Sequence, residues 1–278
     1  MTAPVILGCF AHPDDEQFGK AGALMRATRE GARVHTLCAT RGQVGQISDP
    51  ALATRENLGA VREQELRDAV AIVGWEPPIL LDYMDGQLAA ADPAELRDAV
   101  VAHIRRLRAD IVLTFDRNGG YGHPDHIAIH HATVAAVEAA ADPAHRPDLG
   151  PAHRVAKVYF SAYPRSRWRL FSALLEQHGF PPIDFGDVQT IPTEQLGTSD
   201  DRVTTVVEVG GDAATRVRAM LAHRTQFGPQ SPWARIPVEA LAPMLAADHF
   251  VRHLPAPAPD ATLPDETDLL AGLPGRAR

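Results

Sequence analysis

A chain of 278 residues, 45% of them apolar, carries enough hydrophobic material for one full-sized core, with or without an added cap. A formal net charge of −8, with no basic run longer than Arg165-Ser166-Arg167-Trp168-Arg169, removes the electrostatic reason to expect DNA or RNA and points to a small-molecule partner. The first ten residues lack a basic leader, no window nears about 18 uninterrupted apolar residues, and two cysteines cannot build a disulfide framework, so no membrane partner and a cytoplasmic location are expected.

In chain order, Val5 to Phe10 reads as a strand and Gly19 to Glu30 as a helix closed by Gly31. Arg33 to Cys38 is a second strand, followed by a polar loop around Arg41-Gly42-Gln43 and a helix from about Thr54 to Val73. In that helix Leu58, Val61, Leu66, Ala69, Val70 and Val73 keep helical spacing. Pro78 to Leu81 is a short strand, Pro93 to Leu107 a helix with Asp92 as N-cap, Asp110 to Phe115 a strand, Pro124 to Ala141 a helix and Val155 to Phe160 a strand. Strands alternating with helices imply an α/β fold: a Rossmann-like, mainly parallel sheet with helices on both faces, and ligands beyond the carboxyl ends of the strands.

After Tyr163 the alternation loosens. A helix from Trp168 to His178, a proline-containing loop from Pro181 to Pro192, a strand near Val203 to Val209 and a helix from Ala213 to Arg224 read as an addition that packs on the sheet, where it can form a cap over the site mouth. The expectation is a single domain over 1–254, with a core at 1–165 and cap elements at 166–254. Prolines crowd the chain from Pro255 onward, and 255–278 is expected to be a flexible tail.

The chemistry concentrates in two segments where an apolar strand gives way to a helix: His12-Pro13-Asp14-Asp15-Glu16 and His123-Pro124-Asp125-His126. A catalytic metal centre needs two or three imidazole or carboxylate ligands held rigidly and an open position. His12 and Asp15 can be aimed at one point by a tight turn. Pro124 suits the first helical position, which makes His123 the cap and puts His126 in the first turn. The ligand set is therefore His12, Asp15 and His126, with Asp14 and His123 unligated beside it. His130 follows His126 at i+4 and is a competing ligand, although a packed helix histidine is the commoner role. Glu16 also suits the first turn of a helix through the dipole alone.

The segments Ala11-His12-Pro13-Asp14-Asp15-Glu16 and Gly119-Gly120-Tyr121-Gly122-His123-Pro124-Asp125-His126 resemble the two signatures of the PIG-L / LmbE-like deacetylases, zinc-dependent enzymes that remove N-acetyl groups from N-acetylglucosamine conjugates. The likeness spans roughly residues 4 to 165, with further matches at Arg41-Gly42 and Asp82-Tyr83-Met84-Asp85, and it is nearest to deacetylases and amidases of low-molecular-weight thiol metabolism. The resemblance implies that His12, Asp15 and His126 bind the metal, that Asp14 is the general base, and that His123 with Tyr121 stabilises the oxyanion. It also implies that Asp125 orients an imidazole. Arg41 and Asp85 match positions that hold sugar hydroxyls or the conjugate, and Ala222-His223-Arg224-Thr225-Gln226 resembles a segment whose polar side chains reach the site, which makes His223 and Gln226 candidate substrate contacts.

The function expected is a metal-dependent hydrolase that releases acetate and a free amine from an N-acetylglucosaminyl conjugate. Alternatives are an amidase cleaving a larger acyl group, a noncatalytic sugar-binding protein that kept the fold, and a metallophosphoesterase, for which a second ion and more carboxylates are missing. Two histidines and one carboxylate suit Fe2+ as well as Zn2+. Arg165, Arg167 and Arg169 can meet an anionic aglycone or form a solvated basic edge, and the sequence is compatible with a homo-oligomer.

Overall fold

The structure, a computed structural model, describes residues 2–275 apart from 184, 187, 188, 193 and 194. Its strands are β1 (Val5–Phe10), β2 (Arg33–Thr40), β3 (Ile79–Tyr83), β4 (Ile111–Thr114), β5 (Lys157–Ala162), β6 (Thr205–Glu208) and β7 (Ala247–Leu254). They form one sheet in the order β3-β2-β1-β4-β5-β7-β6, in which β1 to β5 are parallel and β7 pairs antiparallel with both β5 and β6. All six residues of β1 are buried, as a central strand covered on both faces requires, and this explains its unbroken apolar run.

The longer helices are α1 (Ala21–Arg29), α2 (Leu58–Ile72), α3 (Pro93–Leu107), α4 (Pro124–Ala141), α5 (Arg165–Gln177) and α6 (Ala213–Ala222). Asp92 caps α3 by accepting from the Ala94 and Glu95 amides, and Arg108 closes it in a left-handed conformation. Helices α3 and α4 pack together against β1 and β4, whereas α1 lies against β2 and β7. The sheet winds outward in both directions from the β1–β4 pair, so a crevice opens at the carboxyl ends of these two strands. Both histidine segments start there.

Beyond Tyr163, β6 and β7 extend the sheet, while α5 and α6 enclose a second small core of Phe171, Leu175, Val217, Ile236, Leu241 and Leu245. One expectation needs correction. The segment after Pro255 is anchored rather than flexible, with Leu269, Leu270 and Leu273 buried in the main core. Glu266 accepts hydrogen bonds from the Lys157 ammonium, the Tyr159 hydroxyl and the Thr205 hydroxyl, and the Val206 amide donates to the Glu266 carbonyl. Prolines set the path of this segment without preventing its burial. Residues 276–278 of the expected tail, and part of the expected loop at 181–192, lie outside the described residues.

Candidate metal centre

β1 ends at Phe10, and the next residues fold into a tight turn in which the His12 amide donates to Asp15 Oδ2 at 2.7 Å. That bond swings the Asp15 carboxylate back beside the His12 ring. The second segment starts five residues past the end of β4, where Gly119 takes φ 62°, and a Cβ there would press to 2.8 Å from the His126 Cβ. Glycine is what lets the loop pass this close to the imidazole. His123 then caps α4 by accepting the Asp125 amide on Nδ1 at 3.1 Å, with Pro124 at the first helical position and His126 one turn in.

The two segments meet. His12 Nδ1 and His126 Nε2 are 3.2 Å apart, His12 Nδ1 and Asp15 Oδ2 3.5 Å, and His126 Nε2 and Asp15 Oδ1 3.3 Å. A tetrahedral ion with bonds of about 2.0–2.1 Å needs ligand atoms about 3.4 Å apart, and each of these approaches falls near that separation, the two imidazoles meeting different oxygens of the Asp15 carboxylate. Proton placement agrees. His126 Nδ1 faces the Gly119 carbonyl at 3.1 Å, which favours a proton there and a lone pair on Nε2. His12 Nε2 lies 3.0 Å from Asp85 Oδ1 and 3.5 Å from Asp125 Oδ2 without hydrogen-bond geometry to either, and the negative charge of these two carboxylates favours the proton on that side and a lone pair on Nδ1. Two lone pairs and a carboxylate converging in a buried place fit a cation.

Other groups come within reach. His123 also brings a ring nitrogen near His12 and His126, and Asp85 and Asp125 gather on the far side of His12. These are already engaged: Asp125 accepts the Gly86 and Leu88 amides at 2.7 and 3.0 Å, Asp85 accepts the Val44 amide at 2.9 Å, and His123 Nδ1 serves the helix cap. His130 is turned elsewhere, with Nδ1 2.8 Å from the Phe115 carbonyl and its ring edge on Phe160.

The electrostatics separate the two adjacent aspartates. Burial opposes ionisation of both, but His126 and His12 hold Asp15 well below the usual carboxylate range. Asp14 is pushed up to about 7 by burial, against the pull of Arg62. Its backbone sits at φ 102°, a position that costs a non-glycine residue about 1–3 kcal/mol and is held only by surrounding contacts. Burial, reinforced by His126 and His12, lowers His123 to about 4 and keeps its ring neutral, and the cap bond on Nδ1 leaves the proton on Nε2. Burial raises the Tyr121 hydroxyl, which stays protonated; its ring meets His126 and His123 edge-on and stacks on Phe185 at 4.0 Å.

Not every expected site residue is here. The Arg41 guanidinium is taken by Glu63 at 2.8 Å and Asp82 at 2.6 Å. The arginine that enters the site is Arg62 on α2, whose guanidinium donates to the Pro13 carbonyl at 2.6 Å and to Asp14 Oδ2 at 3.1 Å. Helical spacing places Arg62 and Glu65 on the stripe shared by Leu58, Leu66 and Ala69, and charges within an apolar stripe were the overlooked signal. His223 is wholly buried against Glu16, so it cannot touch a ligand. Gln226 exchanges amide hydrogen bonds with Gln46, tying its segment to the loop after β2. Arg167 donates to the Pro243 and Met244 carbonyls, leaving Arg165 and Arg169 exposed. Lys20 was also overlooked: its buried ammonium donates to the Asp15 carbonyl at 2.6 Å, and burial lowers it to about 8. Phe115 stacks flat on His126 at 4.0 Å.

Residues 7–137 match the family described as PIG-L: GlcNAc-PI de-N-acetylase. A 1D-myo-inositol 2-acetamido-2-deoxy-alpha-D-glucopyranoside deacetylase of Geodermatophilus obscurus is 37% identical, covering 95% of this chain and 96% of that protein. A protein of the same name from Streptomyces avermitilis is 32% identical over 95% of each. Among solved structures, the N,N'-diacetylchitobiose deacetylase of Pyrococcus horikoshii superposes with a TM-score of 0.66 at 19% identity, covering 90% of this chain and 84% of that one. A 4-carboxy-2-hydroxymuconate hydratase of Pseudomonas putida superposes at 0.62 with 15% identity, covering 93% and 99%, so this fold also carries other reactions.

Proposed function

Given that this chain belongs to the PIG-L family of de-N-acetylases, we propose that His12, Asp15 and His126 hold one Zn2+ and that Asp14 is the base for hydrolysis of the acetamide of an N-acetylglucosaminyl-inositol conjugate. The chain is a deacetylase acting on an N-acetylglucosamine conjugate, releasing acetate and a free amine. The inositol aglycone is supported by the names of its curated relatives, and zinc by the imidazole and carboxylate donors gathered from His12, His126 and Asp15. Fe2+ remains the rival that the same donors accept.

When bound, the cation polarises the acetamide carbonyl and makes water acidic near neutral pH. The protein does the rest. Asp14, ionising near neutrality and oriented by the Arg62 guanidinium, takes a proton from the attacking water, and its φ of 102° sets it apart from the ligand Asp15. His123 presents Nε2–H, and Tyr121 its hydroxyl, to the charge growing on the carbonyl oxygen. One preorganised donor of this kind is worth about 3 kcal/mol of barrier. Asp14, once protonated, passes its proton to the departing amine. Asp85 and Asp125 fix the His12 ring. No helix among the described residues is long and apolar enough to cross a membrane, and Cys9 and Cys38 are free and buried, which supports a reducing cytoplasmic setting.

The observation that carries this reading is the approach of His12, His126 and the Asp15 carboxylate to one another, with Asp14 and its arginine beside them. Zinc-loaded protein incubated with N-acetylglucosaminyl inositol is expected to release primary amine and acetate in equal amounts. Absence of amine from this compound and from simpler N-acetylglucosaminides, with zinc bound, overturns it.

A further inference from the structure

We propose that the buried Glu16–His223 pair is a positioning device that holds Asp14 in its strained backbone conformation and so keeps the base aimed at the metal site. The inference rests on Asp14 being the base.

Among the described residues, three other than glycine have positive φ, and Asp14 at 102° stands well beyond Arg108 at 53° and Arg146 at 38°. Backbone so far from the ordinary left-handed region relaxes by turning its peptide unless something grips it. The grip on the Asp14 amide is Glu16 Oε2, which accepts it at 2.9 Å. The other oxygen, Oε1, receives His223 Nε2 at 2.8 Å and Gln17 Nε2 at 2.8 Å. Glu16 and His223 are both 0% exposed, so the pair meets neither solvent nor substrate.

The chain spends stability on this contact. His223 leaves Nδ1 buried without a partner, a cost that an apolar side chain of the same size avoids. Its backbone is fixed at the end of α6: its amide donates to the Met220 carbonyl, and its own carbonyl accepts from the Gln226 and Phe227 amides. What the imidazole supplies is one rigidly placed N–H for Glu16. Arg62 holds Asp14 from the opposite side through its carboxylate and through the Pro13 carbonyl, so the residue is clamped at backbone and side chain together.

The test uses zinc-loaded protein and steady-state kinetics on N-acetylglucosaminyl inositol. His223→Leu is expected to keep its zinc and its KM within about twofold while kcat falls about tenfold to a hundredfold, the scale of loss from misplacing one catalytic group. Glu16→Met, which removes the acceptor without burying a lone charge, should repeat that pattern. His223→Gln, whose amide can offer the same N–H, should recover most of the rate. Arg216→Met breaks a different buried pair on the same helix, with Asp248, and should lower thermal stability but leave kcat unchanged. The proposal is overturned if His223→Leu and Glu16→Met keep full kcat, if they shed zinc, or if Arg216→Met loses kcat equally. Asp14→Asn separates the two ideas: an active Asp14→Asn sinks the base assignment, whereas an inactive one beside a fully active His223→Leu sinks only the clamp.

Discussion

At the scale of single residues, two neighbouring carboxylates are given opposite jobs by their surroundings. Asp15 faces two imidazoles and stays ionised, while Asp14 is half-buried beside one arginine and ionises near neutrality. Asp14→Asn is therefore expected to retain zinc and lose kcat by about a hundredfold to ten-thousandfold, the range for removal of a general base, as read by metal analysis alongside turnover. Asp15→Asn and His126→Ala should instead lose the metal, and chelator-treated wild type should regain activity when zinc is restored. Arg62→Met should keep zinc and KM but lower kcat about tenfold to a hundredfold, since Asp14 loses its guide. The residues proposed as ligands could be picked out along the chain because spacing at strand ends is a local signal. Arg62 and the true partner of His223 were not, because each acts across a fold boundary: Arg62 reaches back over 48 residues to Asp14, and His223 over 207 to Glu16.

At the scale of elements, β1 to β5 and their connecting helices were readable because apolar runs and N-caps are local signals, as with Asp92 before α3. β7 was not. Its sequence places Asp248 inward with Phe250 and carries His249, Arg252 and His253, so no apolar alternation marks it. Asp248 is tolerated inside because Arg216 pairs with it at 2.7 Å and the Ala23 amide donates to it. A second element-scale consequence concerns α3. His103 accepts an Arg106 N–H on Nδ1 at 2.8 Å, and burial, helped by that arginine, lowers it to about 4. Below its ordinary value of about 6.5, the unfolded chain takes up a proton that folded His103 refuses, so this residue drains stability as pH falls toward 4. His103→Gln should narrow the gap between urea midpoints measured at pH 7 and pH 5; an unchanged gap contradicts the assignment.

At the scale of the whole molecule, the segment after β7 acts as a fastening. Lys157, Tyr159 and Thr205 all donate to Glu266, and Arg252 lies 3.3 Å from it, so three strands of the sheet are tied to one carboxylate. Glu266→Ala removes the counter-charge of buried Lys157, leaving it only the Leu269 and Ala271 carbonyls, and is expected to cost about 3–5 kcal/mol in chemical denaturation, with kcat of the folded fraction intact. A high proline content suggested looseness here; the buried leucines decide otherwise, because composition reports backbone stiffness and not what the backbone rests against. These ties also close the chain on itself: Glu266 receives Lys157 and Tyr159 from 109 and 107 residues earlier, and Glu16 receives His223 from 207 residues later, so neither end of the described fold is complete without the other.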